Sequence, residues 1–293
     1  MTPNETKNGL LIALFFIVAV VAFFSLSHNI KLNKLYQMEI ESEERIKHTL
    51  DSTPVVARAV SVYNITENKK VYGKNDDVSI PIASLVKIIN VVVALNNHSK
   101  NEIVYLSPDS IKQAGDYGLF ADEKWKIEDL ARLTLISSAN DGAFMLGSSE
   151  NFLEKINTKT QKLGAEASSF FNTTGLDIDI SHPGAFATAL DVNIMAMYAL
   201  RAYPEIFNVT TQPEITLTSE SGFTHTFKNT NIILDKIPNL ILSKTGYTDA
   251  GGGSLAVIFK DQKGDDIAVT VLGSTFEGRF TDMETLVNVL YNL

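Results

Sequence analysis

The chain has 293 residues, 45% of them hydrophobic, enough to bury one good core divided between one or two lobes. A formal net charge of −9 argues against nucleic-acid binding, which needs clustered basic residues. No cysteine is present, so disulfides and thiolate metal sites are excluded; the five histidines (28, 48, 98, 182 and 225) have no ligand-like spacing, and no metal or cofactor is expected.

The first element is apolar. Residues 9–27 carry no charge, and no charged side chain lies between Lys7 and Lys31. Roughly 20 apolar residues span a bilayer, whereas signal-peptide apolar regions run to roughly 7–15. Ser25-Leu26-Ser27 offers the small residues a signal peptidase accepts, but the length favours an uncleaved signal anchor, with residues 1–8 cytoplasmic. Lys31 and Lys34 outnumber Lys7, a bias that alone would keep the C-terminal side inside. Large domains translocate largely regardless of such charges, so the N-terminus-in orientation is retained. Residues 28–54 are rich in charge, sustain no apolar heptad and read as a polar helical stalk that Pro54 ends. The remaining domain is expected over 55–293.

Within it, 57–64 and 69–73 read as a hairpin. After Lys87 comes Ile88-Ile89-Asn90-Val91-Val92-Val93-Ala94-Leu95, too apolar all round for a surface helix and therefore buried. From about 102 to 203 the chain is mainly helical, with pieces at 127–137, 141–147 and 191–201; Trp125 and the Phe170-Phe171 pair are expected in the core. Strands at 240–247, 254–259 and 267–274 have short connections, which imply an antiparallel meander. Asp249 and Gly251–253 are assigned to a turn. Thr281-Asp282-Met283-Glu284 reads as a capping box opening a last helix, with Met283, Leu286, Val287 and Leu290 on one face. Strands at both ends with helices between give an α+β fold, an antiparallel sheet flanked by helices plus an all-helical lobe.

Three short motifs carry chemistry. Ser84-Leu85-Val86-Lys87 places a hydroxyl and an amine one helical turn apart, where apolar surroundings disfavour the charged amine and make it a useful base. The bland reading is a surface serine beside a snorkelling lysine. Ser138-Ala139-Asn140 follows 54 residues after Ser84, and Lys244-Thr245-Gly246 another 106 on. S-x-x-K and K-T-G each occur once, whereas S-x-N occurs four times, at Ser27, Ser99, Ser138 and Ser149. Only the Ser138 copy sits between two helical segments and between the other motifs. Asn140-Asp141 has the competing reading of a helix cap, and Gly246 that of a bulge glycine.

This ordered set resembles the penicillin-binding proteins and class A β-lactamases. From about residue 55 onward the chain is similar to the serine D-alanyl-D-alanine carboxypeptidases, the low-molecular-mass penicillin-binding proteins. The matching phrases include Ile82-Ala83-Ser84-Leu85-Val86-Lys87, Gly115-Asp116-Tyr117-Gly118-Leu119, Ser137-Ser138-Ala139-Asn140-Asp141, Phe171-Asn172-Thr173-Thr174-Gly175-Leu176-Asp177, Asn229-Thr230-Asn231 and Ser243-Lys244-Thr245-Gly246-Tyr247-Thr248. The resemblance implies a β-lactamase/DD-peptidase-like fold and a membrane-anchored, extracytoplasmic enzyme. It would remove the terminal D-alanine of peptidoglycan stem peptides through an acyl-enzyme, with β-lactams as inhibitors. The β-rich C-terminal domain and amphipathic tail of some relatives are not expected here, and the N-terminal span would be the tether.

Carried over residue by residue, Ser84 is the nucleophile, Lys87 its base and Ser138 a proton relay. Asn140 would hold the substrate backbone, Lys244 would supply positive potential and fix Ser138, and Thr245 would bind the peptide's terminal carboxylate. The backbone N–H groups of Ser84 and Tyr247 would form the oxyanion hole, and Gly246 would leave room for a substrate strand. Some relatives carry Arg where this chain has Thr230, so carboxylate binding leans on Thr245 and Lys244. A class A β-lactamase also needs a Glu-x-x-Leu-Asn element; the nearest lookalike, Glu150-Asn151-Phe152-Leu153-Glu154, ends wrongly and follows Asn140 too closely. The same motifs would also suit a DD-endopeptidase, or a non-catalytic wall-binding relic of such an enzyme.

Overall fold

Elements of very different apolar character build the molecule, and a computed structural model describes residues 3–179 and 181–292, with side chains of the first helix described at 15–16 and from 23 onward. Helix α1 (Pro3–Asp51) runs through residues 28–51 of the expected stalk and stops three residues short of Pro54 (54 − 51). The proposed anchor at 9–27 lies mostly outside the residues whose side chains are described; among the described residues no helix is long and apolar enough to cross a membrane. The chain divides into two compact units, Met1–Thr49 and Leu50–Leu293. The second unit thus begins five residues before the expected start at Val55 (55 − 50).

In the second unit, β1 (Ala59–Asn64) and β2 (Lys69–Lys74) form the expected hairpin. β3 (Ile80–Pro81) and a single 3₁₀ turn, Ala83–Leu85, lead into α2 (Val86–Asn97). Every residue of α2 from Val86 to Leu95 is buried, as its unbroken apolar sequence requires. Two short strands, β4 (Ile103–Tyr105) and β5 (Lys124–Lys126), pair ahead of α3 (Ile127–Ile136), α4 (Asn140–Leu146) and α5 (Phe152–Leu163). β6 (Ser169–Phe170) and β7 (Ala185–Ala187) join β3 in a small sheet, and α6 (Ala189–Ala202) and α7 (Pro204–Phe207) follow.

The hairpin of β8 (Glu214–Thr218) and β9 (Thr224–Lys228) was not expected, although Ile215, Leu217, His225 and Phe227 alternate with outward threonines. β10 (Leu240–Thr248), β11 (Gly252–Lys260) and β12 (Asp266–Ser274) make the meander, and α8 (Gly278–Tyr291) closes the domain. The main sheet has the order β10-β11-β12-β1-β2, all antiparallel, with β10 on an edge.

β11 and β12 are buried on both faces. Leu242, Ala256, Ile258, Ala268 and Leu272 enter the main core, which they share with residues of α2, α3 and α6. The alternate residues Leu255, Val257, Val269 and Val271 are buried on the other face, where α8 packs with Met283, Leu286, Val287 and Leu290. Helix α8 starts three residues before the expected Thr281, because the Thr275 hydroxyl accepts the Gly278 N–H at 2.8 Å. Asp282 serves a different end, accepting the N–H groups of Val56 and Ala57 and the Ser274 hydroxyl. Trp125 and Phe170 are in the core, but Phe171 is 55% exposed, against the expectation for the pair.

The last residues of α1 belong to the second unit's packing. Leu50 is buried, and burial followed by the hydrogen bond to Asp51 pushes the Tyr72 phenol up to about 12. Removal of 1–54, which deletes both residues, is therefore expected to destabilise the domain relative to removal of 1–46. Truncating one buried leucine costs about 2–5 kcal/mol, which in a domain of this size corresponds to a Tm difference of at least about 5 °C. Thermal scans of the two truncated proteins check it; equal Tm values would place Leu50 outside the cooperative core.

Candidate active site

The site begins with backbone strain. Among the described residues seven non-glycine positions have positive φ, and five of them are Asn or Asp, whose short polar side chains tolerate it. The other two are Ala83 (φ 49°) and Ser138 (φ 58°), one immediately before Ser84 and the other a motif residue itself. Such geometry persists only where surrounding structure holds it. Around Ala83 the clamp is steric. A Cβ on Gly175 (φ +80°) would lie 2.1 Å from the Ala83 carbonyl oxygen, and one on Gly246 would lie 3.0 Å from Ile82 O and 3.2 Å from Ser84 N. The turn bearing Ser84 presses on β10 at Gly246, where a side chain would be tight. That is a different constraint from the substrate clearance expected of it.

Ser84 and Lys87 sit where the 3₁₀ turn joins α2, a geometry that brings residues three apart onto one line. Lys87 Nζ is 2.8 Å from Ser84 Oγ, 2.8 Å from Asn140 Oδ1 and 2.6 Å from the Thr174 carbonyl oxygen. The last two only accept. They fix two N–H groups of the amine and leave its remaining tetrahedral direction on Ser84. Lys87 is wholly buried, and burial first, then the charge of Lys244, hold its amine well below the usual lysine range. In its neutral form the direction facing Ser84 carries a lone pair, able to take the serine proton.

Asn140 does not cap its helix. The N-cap is Ala139, and the Asn140 amide spans Lys87 Nζ and the Ala114 carbonyl, to which Nδ2 donates at 2.6 Å. Both ends of the amide are engaged within the protein. Ser138 Oγ receives a hydrogen bond from Lys244 Nζ at 2.8 Å, while the Tyr117 hydroxyl approaches the Ser138 carbonyl at 3.4 Å. Lys244 also donates to its neighbour's carbonyl, Thr245 O, at 2.8 Å. Burial, then the Arg279 charge, pull the Lys244 amine down to about 7. The S-x-N serine is thus tied to the K-T-G lysine, and the S-x-N asparagine to Lys87.

The Thr245 hydroxyl, on β10, lies 2.6 Å from that of Thr230 in the segment after β9, so Thr230 stands beside the residue expected to meet a carboxylate. Tyr247 is partly exposed, its ring edge-on to Phe276. Arg279, from the first turn of α8, donates to the Gly246 carbonyl at 2.8 Å. A cavity of about 410 Å³ adjoins the Lys87 network behind Thr174, with Gln113, Phe144, Phe171, Leu176 and Asp177 in its walls.

Three participants were not read from the sequence. The Thr174 carbonyl is a backbone atom, presented by a loop that Asn172 moulds: its Oδ1 accepts from Thr174 N and Gly175 N, and its Nδ2 donates to Leu176 O. Asn90, one turn after Lys87, ties α2 to the carbonyls of Ala143 and Thr173. Its signal was the one amide inside the apolar run 88–95. Arg279 lies 33 residues beyond Gly246 and only the fold brings it near.

Asp141 has a buried Oδ1 with no partner. Burial raises its carboxyl to about 6; a backbone N–H works against this and Asp116 adds to it. A folded-state value above the unfolded one, about 3.9, gives stability that is complete below pH about 4 and is lost as pH rises through about 6. Asp141→Asn is expected to be more stable than the parent at pH 8, with the gap closing towards pH 4. Urea titrations at the two pH values check it; a gap independent of pH would remove the buried charge as its cause.

Comparison with known proteins agrees with this geometry. The D-alanyl-D-alanine carboxypeptidase family profile (peptidase S11) matches residues 47–275. A D-alanyl-D-alanine endopeptidase of Pseudomonas aeruginosa is 30% identical over 201 residues, covering 64% of this chain and 62% of that one. The D-alanyl-D-alanine carboxypeptidase DacF of Bacillus subtilis is 28% identical over 216 residues, 70% of this chain and 54% of that one. The chain therefore spans little more than half the length of these curated relatives. Among solved structures, penicillin-binding protein D2 of Listeria monocytogenes in its cefotaxime-bound form superposes with a TM-score of 0.68 at 28% identity, covering 81% of this chain and 98% of that one. A D-alanyl-D-alanine carboxypeptidase of Mycobacterium tuberculosis shares the fold, with a TM-score of 0.73 at 24% identity over 82% of this chain and 92% of that one. With its motif residues gathered around Ser84 and its α+β architecture matched to these structures, the chain belongs to the D-alanyl-D-alanine carboxypeptidase family.

Proposed function

We propose that this protein is a serine D-alanyl-D-alanine carboxypeptidase that trims peptidoglycan stem peptides. In this reading residues 9–27 tether it to the membrane and the second unit works on the extracytoplasmic side. The observation that carries the reading is the amine of Lys87, buried and held by two acceptors so that its third direction meets Ser84 Oγ. Ser84 Oγ attacks the carbonyl carbon of the penultimate D-alanine while its proton passes to Lys87. The peptide bond breaks, the terminal D-alanine leaves with a proton delivered through Ser138, and water then hydrolyses the ester. Lys244, with Thr245 and Thr230 beside it, supplies the positive, hydroxyl-lined end for the terminal carboxylate.

A β-lactamase role is disfavoured by position. Glu154 of the lookalike element lines a groove with Asn96 and Asn97 at the far end of α2, and a 12-residue helix places that end about 18 Å from Ser84. An endopeptidase is the second reading, because the Pseudomonas relative carries that name. Incubation with stem pentapeptide and with cross-linked dimer, products identified by mass, separates the two. Free D-alanine supports the carboxypeptidase, dimer cleavage without it the endopeptidase, and no product from either overturns both.

Ser84→Ala is expected to abolish both penicillin labelling and D-alanine release with the thermal transition retained. An adduct on another residue of that variant would remove Ser84 as nucleophile. Lys87→Arg is expected to be nearly as damaging as Lys87→Ala, with acylation down at least about 100-fold, the lower end of what a positioned base supplies. A guanidinium keeps the charge but stays protonated and cannot accept the proton. Near-normal acylation of the Arg variant, timed by stopped-flow labelling, would make Lys87 an electrostatic residue.

A further inference from the structure

Arg279 is a cation in an expensive place. It is 5% exposed, its guanidinium stacks on Phe276 and Phe280 at 4.4 and 4.6 Å, and its Nε has no partner. Among the described residues it makes no ion pair. Burial holds its guanidinium below the usual arginine range, and the nearby Glu277 carboxylate offsets this only in part. Taking a guanidinium out of water without a contact ion pair is costly, and a neutral side chain of similar volume would fill the space at less cost. Its placement also raises the energy of the site's own lysine, since it repels Lys244. A residue kept only for packing gains nothing from either penalty.

Its one hydrogen bond within the site goes to the Gly246 carbonyl, at 2.8 Å. That carbonyl belongs to the same peptide unit as the N–H of Tyr247. The peptide is trans, as all described ones are, so the C=O and N–H point in opposite directions. A donor that holds the oxygen from the α8 side therefore turns the N–H the other way. β10 is the edge strand, paired with β11 alone, and the turn bearing Ser84 packs against it at Gly246. A charged donor on the carbonyl also polarises the unit, making the opposite N–H a stronger donor.

We propose that Arg279 is a positioning residue for acylation, its guanidinium fixing and polarising the Gly246–Tyr247 peptide so that the Tyr247 N–H holds the oxyanion formed at the scissile carbonyl. The inference rests on the serine acyl-transfer reading above. In that step the Ser84 Oγ–carbon bond forms, the carbonyl π pair moves onto oxygen, and the serine proton moves to Lys87. Arg279 touches none of the reacting atoms; it acts through one peptide unit. Losing a whole oxyanion donor costs about 10²–10³ in turnover elsewhere. Leaving the N–H in place but unclamped is expected to cost at least about tenfold.

The test uses the full chain with Arg279→Gln and Arg279→Met, both neutral and near its length, and Arg279→Lys as the conservative variant. Acylation by a fluorescent penicillin is resolved into an initial affinity and a rate constant, and affinity is measured for a D-alanine boronate, whose tetrahedral adduct on serine carries the oxyanion. The expected result is a rate constant down at least tenfold with initial affinity within about twofold. Boronate affinity falls in parallel, and the Lys variant, which keeps a charged donor, recovers part of both. Unchanged rate constants in the neutral variants overturn the proposal, as does a loss confined to initial affinity, which would make Arg279 a ligand for the substrate's carboxylate. Loss of the thermal transition in both neutral variants also overturns it and leaves a structural role. If the parent itself is not labelled on Ser84, the acyl-transfer reading fails first, and the two failures are distinguishable.

Discussion

A buried amine that forms no ion pair among the described residues organises this molecule. Lys87 lies in the first turn of a helix with no polar face, so its side chain cannot reach water. Three separate pieces of chain supply its oxygens: the turn before α2, the start of α4, and the loop after β6. Each piece is in turn fixed by something else, Asn140 by Ala114 and the Thr174 loop by Asn172 and Asn90. A core of ordinary apolar residues would tolerate slippage of any of these segments. A buried amine that loses an acceptor has no solvent to replace it, so the polar network makes one arrangement of the helical lobe much better than its neighbours.

The two strained residues, Ala83 and Ser138, come from two different pieces of chain, the turn before α2 and the link between α3 and α4. Each left-handed alanine or serine costs about 1–2 kcal/mol, and both costs are met by the packing of the surrounding lobe and sheet. Gly175 and Gly246 show how. Gly175 lets its backbone approach Ala83 more closely than a side chain permits, and Gly246 packs tightly against Ile82–Ser84.

Much of this was legible because it is local or periodic. The spacing of Ser84 and Lys87, the unbroken apolar run of α2 and the three strands of the meander are properties of short windows, and each window folds as its pattern dictates. The misses share a cause as well. Thr174 contributes a carbonyl, which every residue possesses, so no side-chain pattern marks it. Arg279 reaches the site only through the packing of α8 on β11 and β12. The Thr281 box is not used: α8 already begins at Gly278, whose N–H Thr275 accepts, and Asp282 binds the segment just before β1 instead. Phe171 was grouped with its buried neighbour, yet β6 ends at Phe170 and Phe171 lies just beyond it, 55% exposed.

The order in which the sheet is assembled has a consequence for the timing of activity. Ala59 pairs with Leu272, a separation of 213 residues (272 − 59), so β1 and β2 have no sheet to join until β12 exists. Closing a loop of that length must be paid for in entropy before the pairing repays it, which marks a slow, late event. The turn bearing Ser84 is held against Gly246 of β10, so Ser84 acquires its geometry only once the distant half of the chain has docked. A partly synthesised chain therefore carries Ser84 and Lys87 without the geometry that joins them. Reactivity is the last property this fold acquires.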